Sequence, residues 1–230
     1  MIEVYSRRPS EWRRLFAIAA DLIDQLREKA GGFEFEWSFG GGTAMMIQIN
    51  HRESHDVDIF LDDPQLLGFI DPSKSQLSFS TGPAAYDSDG TRFQKFAFEG
   101  LGEIDFIVAG ALTGTPFEKR EVEGRSVWLE TIPEIIAKKV YYRGAEARPR
   151  DIFDIAAAAR SHRAGVVGAL RAFPDRVART RERLAELNPE FVRRTIAQLM
   201  IMPDYQEMAA DSLAVATALL EEVLSTATSS

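Results

Sequence analysis

The stretch WSFGGGTAMMIQINHRESHDVDIF, residues 37–60, decides how this chain folds. FEFEWSF (33–39) alternates apolar and polar residues, as a half-buried strand does. Gly40, Gly41 and Gly42 break it, and TAMMIQI (43–49) reads as a short helix with Thr43 near its start. DVDIFL (56–61) reads as a second strand. Asp is a poor strand former, and like charges on one face repel each other. Asp56 and Asp58 therefore need a compensating reason.

Working outward, PSEWRRLFAIAADLIDQLREKAGG (9–32) has helical periodicity in Trp12, Leu15, Phe16, Ala19, Leu22, Ile23 and Leu26. A loop-rich region spans 62–90, with Asp62 and Asp63 as a solvated turn before Pro64. TRFQKFAF (91–98) and EIDFIVA (103–109), joined by EGLG, predict an antiparallel hairpin. KREVEGRSVWLE (119–130) predicts another around Glu123-Gly124. After Pro133 the pattern is helical: 133–143, 150–162, 164–172, 174–187, 189–200 and 204–226, with STATSS (225–230) as a frayed tail. The organisation divides into an α/β part, 1–131, and a helical part, 132–230.

With 230 residues and 45% hydrophobic composition, the chain can bury a substantial core. No apolar run reaches the roughly 18 residues a membrane helix needs. The start, MIEVYSRRPSEWRR, has no apolar stretch of the secretory kind. There is no cysteine, which excludes disulfides and thiolate metal sites. The expectation is a cytoplasmic protein with no membrane partner. Net charge is −8, yet Lys138 to Arg194 holds fourteen Lys/Arg against seven Asp/Glu. That segment reads either as a phosphate-binding surface or as solvated helix faces carrying Arg–Glu pairs.

Residues two apart in a strand face one side, so Asp56 and Asp58 point into one volume while Val57 and Ile59 enter the core. Two such carboxylates raise each other's proton affinity unless a cation lies between them. Mg²⁺ suits the case, since it binds one or two carboxylates together with substrate phosphates. Asp105, amid apolar neighbours in EIDFIV, would join them if its strand pairs beside 56–61. Three carboxylates could hold two Mg²⁺ ions around a transferring phosphoryl group. The glycine turn ahead of a helix start is a place where backbone N–H groups can cradle a phosphate, or simply a tight turn. It is neither a P-loop nor a dinucleotide fingerprint.

The combination is more specific than its parts. WSFGGGTAM (37–45) with HRESHDVDIF (51–60), EIIAKKVYYRG (134–144) and RPRDIFDI (148–155) resembles the AbiEii/AbiGii-type toxin nucleotidyltransferases of the polymerase-β-like superfamily. The resemblance implies an α+β (α/β) fold: a nucleotidyltransferase core with a mixed sheet, then a helical C-terminal domain that completes the active site. It implies that Gly41, Gly42 and Thr43 hold the triphosphate and that Asp56, Asp58 and Asp105 bind metal. Asp105 would also help deprotonate the attacking hydroxyl. Lys139, with Lys138 as the register alternative, and Arg143 match K-x-x-x-R. Arg150, Asp151 and Asp154 match R-D-x-x-D, the acids orienting the cations.

The implied substrates are an NTP and an acceptor hydroxyl. The acceptor could be a tRNA 3′ end, a protein or a small molecule, and nucleotide binding without turnover is a further alternative. A cognate antitoxin is an implied partner. The RNA-facing surface would be Arg160, Arg163, Arg171, Arg176, Arg179, Arg181, Arg183, Arg193 and Arg194. Arg52 either nears the site or pairs with an acid, and Ser54 reads as a turn residue. His51 and His55 read as exposed loop residues. Trp37, Phe39, Met45 and Met46 read as core. Tyr141 and Tyr142 could stack on a base, one of them being buried.

Overall fold

A computed structural model describes residues 8–227. The expectations about residues 1–7 of the chain start and 228–230 of the STATSS tail lie outside the described residues. Helix α1 (Trp12–Lys29) buries Leu15, Phe16, Ala19, Leu22, Ile23 and Leu26, the stripe its periodicity predicts. Strand β1 (Trp37–Gly40) leads directly into α2 (Gly41–Ile49), and β2 (Val57–Leu61) follows. Next come β3 (Ala85–Ser88), β4 (Phe93–Phe98), β5 (Gly102–Val108), β6 (Phe117–Val122) and β7 (Arg125–Glu130).

The strands form one mixed sheet in the order β3-β4-β5-β2-β1-β7-β6. β2 pairs antiparallel with β1 and parallel with β5, while β1 is parallel to β7. Both predicted hairpins form. Glu123 and Gly124 take φ of +48° and +76°, the left-handed pair that a two-residue turn between twisted strands requires. The region 62–90 is less irregular than expected. It contains a 3₁₀ turn, Pro64–Phe69, capped by the Asp63 side chain, and the edge strand β3. β3 is mostly exposed, so it carries little of the alternation that betrays a strand.

One face of the sheet is the core. Phe39, Ile59, Leu61, Phe96, Ile104 and Phe106 are fully or nearly fully buried there. Phe16 of α1 stacks on Phe39 at 5.2 Å between ring centroids. Each such side chain contributes roughly 2–3 kcal/mol by leaving water. The opposite face carries the charged row described below.

The helical part comprises α3 (Ile132–Arg143), α4 (Pro149–Leu170), α5 (Pro174–Glu186), α6 (Pro189–Ile196), α7 (Gln206–Ala209) and α8 (Ser212–Ala227). Two predicted helices, 150–162 and 164–172, are one kinked element, with His162 at φ −136° marking the bend. The single helix predicted for 204–226 is instead a 3₁₀ turn, α7 and α8. Ala156–Ala159 are all buried, and such small side chains let helices approach closely. The segment after α2 ties the two parts together. Glu53 N–H donates to the Met200 carbonyl at 2.8 Å, and Met202 N–H to the His51 carbonyl at 3.1 Å. No helix among the described residues is long and apolar enough to cross a membrane.

Candidate active site

The glycine turn is built around a carboxylate. Gly41 has φ +68°, and a Cβ there would lie 1.9 Å from Asp58 Oδ2. Both the backbone angle and the close approach exclude other residues. Asp58 thus lies against the N-terminal end of α2, where unpaired backbone N–H groups favour negative charge. A Cβ on Gly42 would meet Ser54 Oγ at 2.8 Å and Arg52 Nη2 at 3.0 Å. The Thr43 hydroxyl does not cap the helix; it donates to the Asp56 carbonyl oxygen, so the turn and β2 hold each other.

Register then lines up a charged row across the non-core face. Gly40 pairs with Asp58, Asp58 with Asp105, Asp105 with Lys95 and Lys95 with Asp87. Asp105 is therefore the direct neighbour of Asp58, as the parallel pairing required. Burial and the Asp58 charge push the Asp105 carboxyl up to about 7. Its Oδ1 is buried without a hydrogen-bond partner among the described residues. Lys95 lies 3.4 Å from Asp105 Oδ2 and also pairs with Glu103. Asp56 precedes β2, and its Oδ1 accepts from the Glu103 N–H at 3.1 Å. Burial, then the Asp58 charge, raises its carboxyl too.

These three acids carry more negative charge than their surroundings compensate. An unbonded, buried carboxylate oxygen beside a second carboxylate fits a divalent cation with oxygen preference. Among the described residues, however, no three His, Cys, Asp or Glu side chains converge closely enough to form a finished ligand set. The chemistry of the donors fits a cation; their side chains would have to draw inward around it.

A second, balanced cluster stands behind the turn. Lys139 Nζ lies 2.8 Å from Asp151 Oδ1 and 3.1 Å from Asp154 Oδ2. Arg143 reaches Asp151 at 2.8 Å, with its side chain 49% exposed. Arg52 binds both Asp154 oxygens, at 2.7 and 2.9 Å, so it pairs with an acid while its Nη2 also nears the glycine turn. Burial alone would raise Asp154; Arg52 and Lys139 outweigh it and hold the carboxyl well below its usual range. Asp151 is likewise held at about 2, its burial outweighed by Lys139 and Arg143. The positive charge of Arg150 is felt by Asp56, so the start of α4 brings a cation toward the acids.

Both candidate lysines are buried, and they differ in their partners. Lys138 packs over the Phe60 ring at 3.8 Å and pairs with Glu130, leaving Lys139 to meet Asp151 and Asp154. His51 corrects an expectation. It is fully buried rather than exposed, with Nε2 2.9 Å from Asp154 Oδ1 and its ring stacked on Phe153 at 6.0 Å. Burial lowers its pKa, so the neutral ring is favoured. His55 is partly exposed. Phe39, Met45 and Met46 are core, and Trp37 packs partly buried against it. Tyr141 is partly buried and Tyr142 exposed.

Two residues escaped the sequence reading. Lys95 is legible only once the β4–β5 register sets it opposite Asp105. Glu130 ends β7 beneath Gly40, where a Cβ would lie 2.2 Å from its Oε2. Burial pushes Glu130 up to about 7 against the opposing pull of Lys138.

The fold is one that nucleotidyltransferases share. A putative nucleotidyltransferase from H. pylori shares the architecture at 15% identity and a TM-score of 0.50, over 96% of this chain and 98% of that one. MenT4, a nucleotidyltransferase toxin from Mycobacterium tuberculosis H37Rv, aligns at 17% identity and a TM-score of 0.43, covering 91% of this chain and 95% of its own. No curated protein sequence matches. The family described as nucleotidyl transferase AbiEii toxin, type IV TA system, matches residues 26–225, and the chain belongs to that family.

Proposed function

We propose that this protein transfers a nucleoside monophosphate from an NTP to the 3′-terminal hydroxyl of an RNA, tRNA being the leading candidate, in a Mg²⁺-dependent reaction. The observation that carries the reading is the Asp58–Asp105 neighbour pair beside Gly41, with a buried Asp105 oxygen that no hydrogen bond satisfies among the described residues. Asp56, Asp58 and Asp105 would hold the divalent ions. When bound, these ions neutralise the carboxylates and polarise the phosphates.

Gly41, Gly42 and Thr43 would seat the triphosphate against the start of α2. Arg143 is the accessible cation of its pair, since Lys139 is only 9% exposed and bonded to two acids. Arg143 and Arg150 would therefore meet the phosphates, with Lys139 holding Asp151, the acidic partner of Arg143, in place. In the reaction the acceptor oxygen bonds to the α-phosphorus as the bond to the bridging oxygen breaks. Pyrophosphate leaves, and the hydroxyl proton passes to Asp105. Cations facing the acids stabilise the charge that develops.

As a toxin-family member, the protein would act in the cytoplasm and be restrained by a cognate antitoxin. Incubation of total RNA with each α-labelled NTP, with and without Mg²⁺, tests the proposal. Label should enter RNA with the wild type and not with Asp56→Ala. Labelling of protein or of an aminoglycoside in parallel reactions, with RNA unlabelled, would refute the RNA acceptor. Absence of labelling in all of them would refute turnover.

A further inference from the structure

Beyond the acids and the Lys139–Arg143 pair, α3 ends in an aromatic group that the chemistry above does not use. Tyr142 is 53% exposed, a large fraction for so big a side chain. Tyr141 meets it edge-on at 4.9 Å and meets Phe173 at 5.1 Å. Arg176 of α5 lies over the Tyr141 ring at 4.7 Å. The face of Tyr141 is thus already taken by a cation, and Tyr142 is the ring left open.

The place of this group is fixed firmly. Gly144, just past α3, is buried against α5 so closely that a Cβ would lie 1.9 Å from Thr180 Oγ1. Thr180 in turn donates to the Arg176 carbonyl at 2.8 Å. On α3, Tyr142 lies three residues, about one turn, beyond Lys139 and immediately before Arg143. On α5, Arg176, Arg179 and Arg183 fall within about 60° of arc, while Asp175, Glu182 and Glu186 fall further round. Arg176 and Arg179 are exposed, and Arg183 lies 3.7 Å from Glu186.

Four other basic residues of the segment are otherwise engaged. Arg163 pairs with Glu222, Arg193 and Arg194 with Glu190, and Arg160 stacks on Tyr205 while donating to the Asp204 carbonyl. Arg176, Arg179 and Arg183 share one helix face.

We infer that Tyr142, backed by Tyr141 and Arg176 and continued by Arg179 and Arg183, forms a stacking shelf and cationic track for a single-stranded nucleic-acid end. An open aromatic ring takes any base face, and spaced arginines follow the phosphates outward. This acceptor assignment rests on the nucleotidyl-transfer reading above and gives its acceptor a path of named residues.

The test is equilibrium binding of a fluorescein-labelled eight-nucleotide single-stranded RNA to the full chain, read by anisotropy without NTP or divalent ions. Tyr142→Ala should weaken binding about tenfold, and Tyr142→Phe should retain it, because stacking needs the ring and not the hydroxyl. Arg179→Gln should reduce the slope of log affinity against log salt by about 0.7. Circular dichroism melts check that the variants fold. Wild-type affinity in a folded Tyr142→Ala protein, or no binding by the wild type, would overturn the shelf. Binding that follows this pattern in a protein that labels no acceptor would overturn the transfer reading and leave the shelf standing.

Discussion

Two clusters of acids lie close together in this molecule and behave oppositely. Asp154 is completely buried, yet Arg52, Lys139 and His51 surround it, and its carboxyl is held ionised. Asp105 is also mostly buried, but its neighbour across the strands is another acid, and its carboxyl is pushed up to about 7. Lys95 compensates only one of its oxygens. The carboxylates of the first cluster are satisfied within the chain and join the segment after α2 to α4. The second is left in need of a positive group from outside. A balanced buried cluster reads as a strut, and an unbalanced one as a site.

Breaking each cluster should separate these roles. The largest effect is expected for Asp58→Ala, which should cut nucleotide incorporation by about 10³-fold or more while leaving the melting temperature unchanged or higher. Labelled-NTP transfer together with thermal unfolding checks both halves. Asp154→Ala should do the reverse in stability. It strands buried cations and should cost about 3–5 kcal/mol, seen as a fall of roughly 10 °C in melting temperature. A folded Asp154→Ala protein with wild-type stability would erase the distinction between the clusters.

The pH dependence sharpens it. The Asp151 carboxyl is near 2 in the folded chain, below its unfolded value, so its contribution is present above about pH 4 and lost as pH falls toward 2. About 2 kcal/mol of stability should disappear over that window by urea unfolding, and much less in Asp151→Asn.

Asp105 has the opposite sign. Its folded value of about 7 lies above the unfolded one, so the unloaded protein loses stability as pH rises from about 4 to 7. Asp105→Asn should therefore stabilise the cation-free protein by about 1–2 kcal/mol at pH 8 and by little at pH 4. The smallest effect is expected at the surface. Arg163→Ala removes an exposed pair with Glu222 and should change stability by less than about 0.5 kcal/mol in the same melts.

Much of this was readable in the chain. The alternation in 56–61 and 103–109, with an acid in each, announced two strands whose apolar residues face the core. The glycines before Thr43 announced a turn, and the helical periodicity of α1 gave its buried stripe almost residue for residue. Local pattern failed where burial depended on distant partners. His51 follows Asn50, the left-handed cap of α2, in what reads as an ordinary loop. It is buried because α4 brings Asp154 and Phe153 over it. Lys95 is one polar residue in an alternating strand until Asp105 is set opposite. The count of basic residues from Lys138 to Arg194 could not say which of them pair with acids; Arg163 meets Glu222 across helices, and Arg193 and Arg194 meet Glu190 within one.

The sequence by itself determined the alphabet of the protein: which segments are strands and helices, that acids recur on strand positions facing one side, and that cations gather in the second part. Those are consequences of local periodicity and residue chemistry. Only the tertiary structure decided which acid is neutralised and which is not. Register places Asp105 beside Asp58, and helix packing places Arg52 and Lys139 on Asp154. The electrostatic energy of a buried carboxylate is set by charges a few ångströms away in space, and nearness in space is what a linear pattern does not carry.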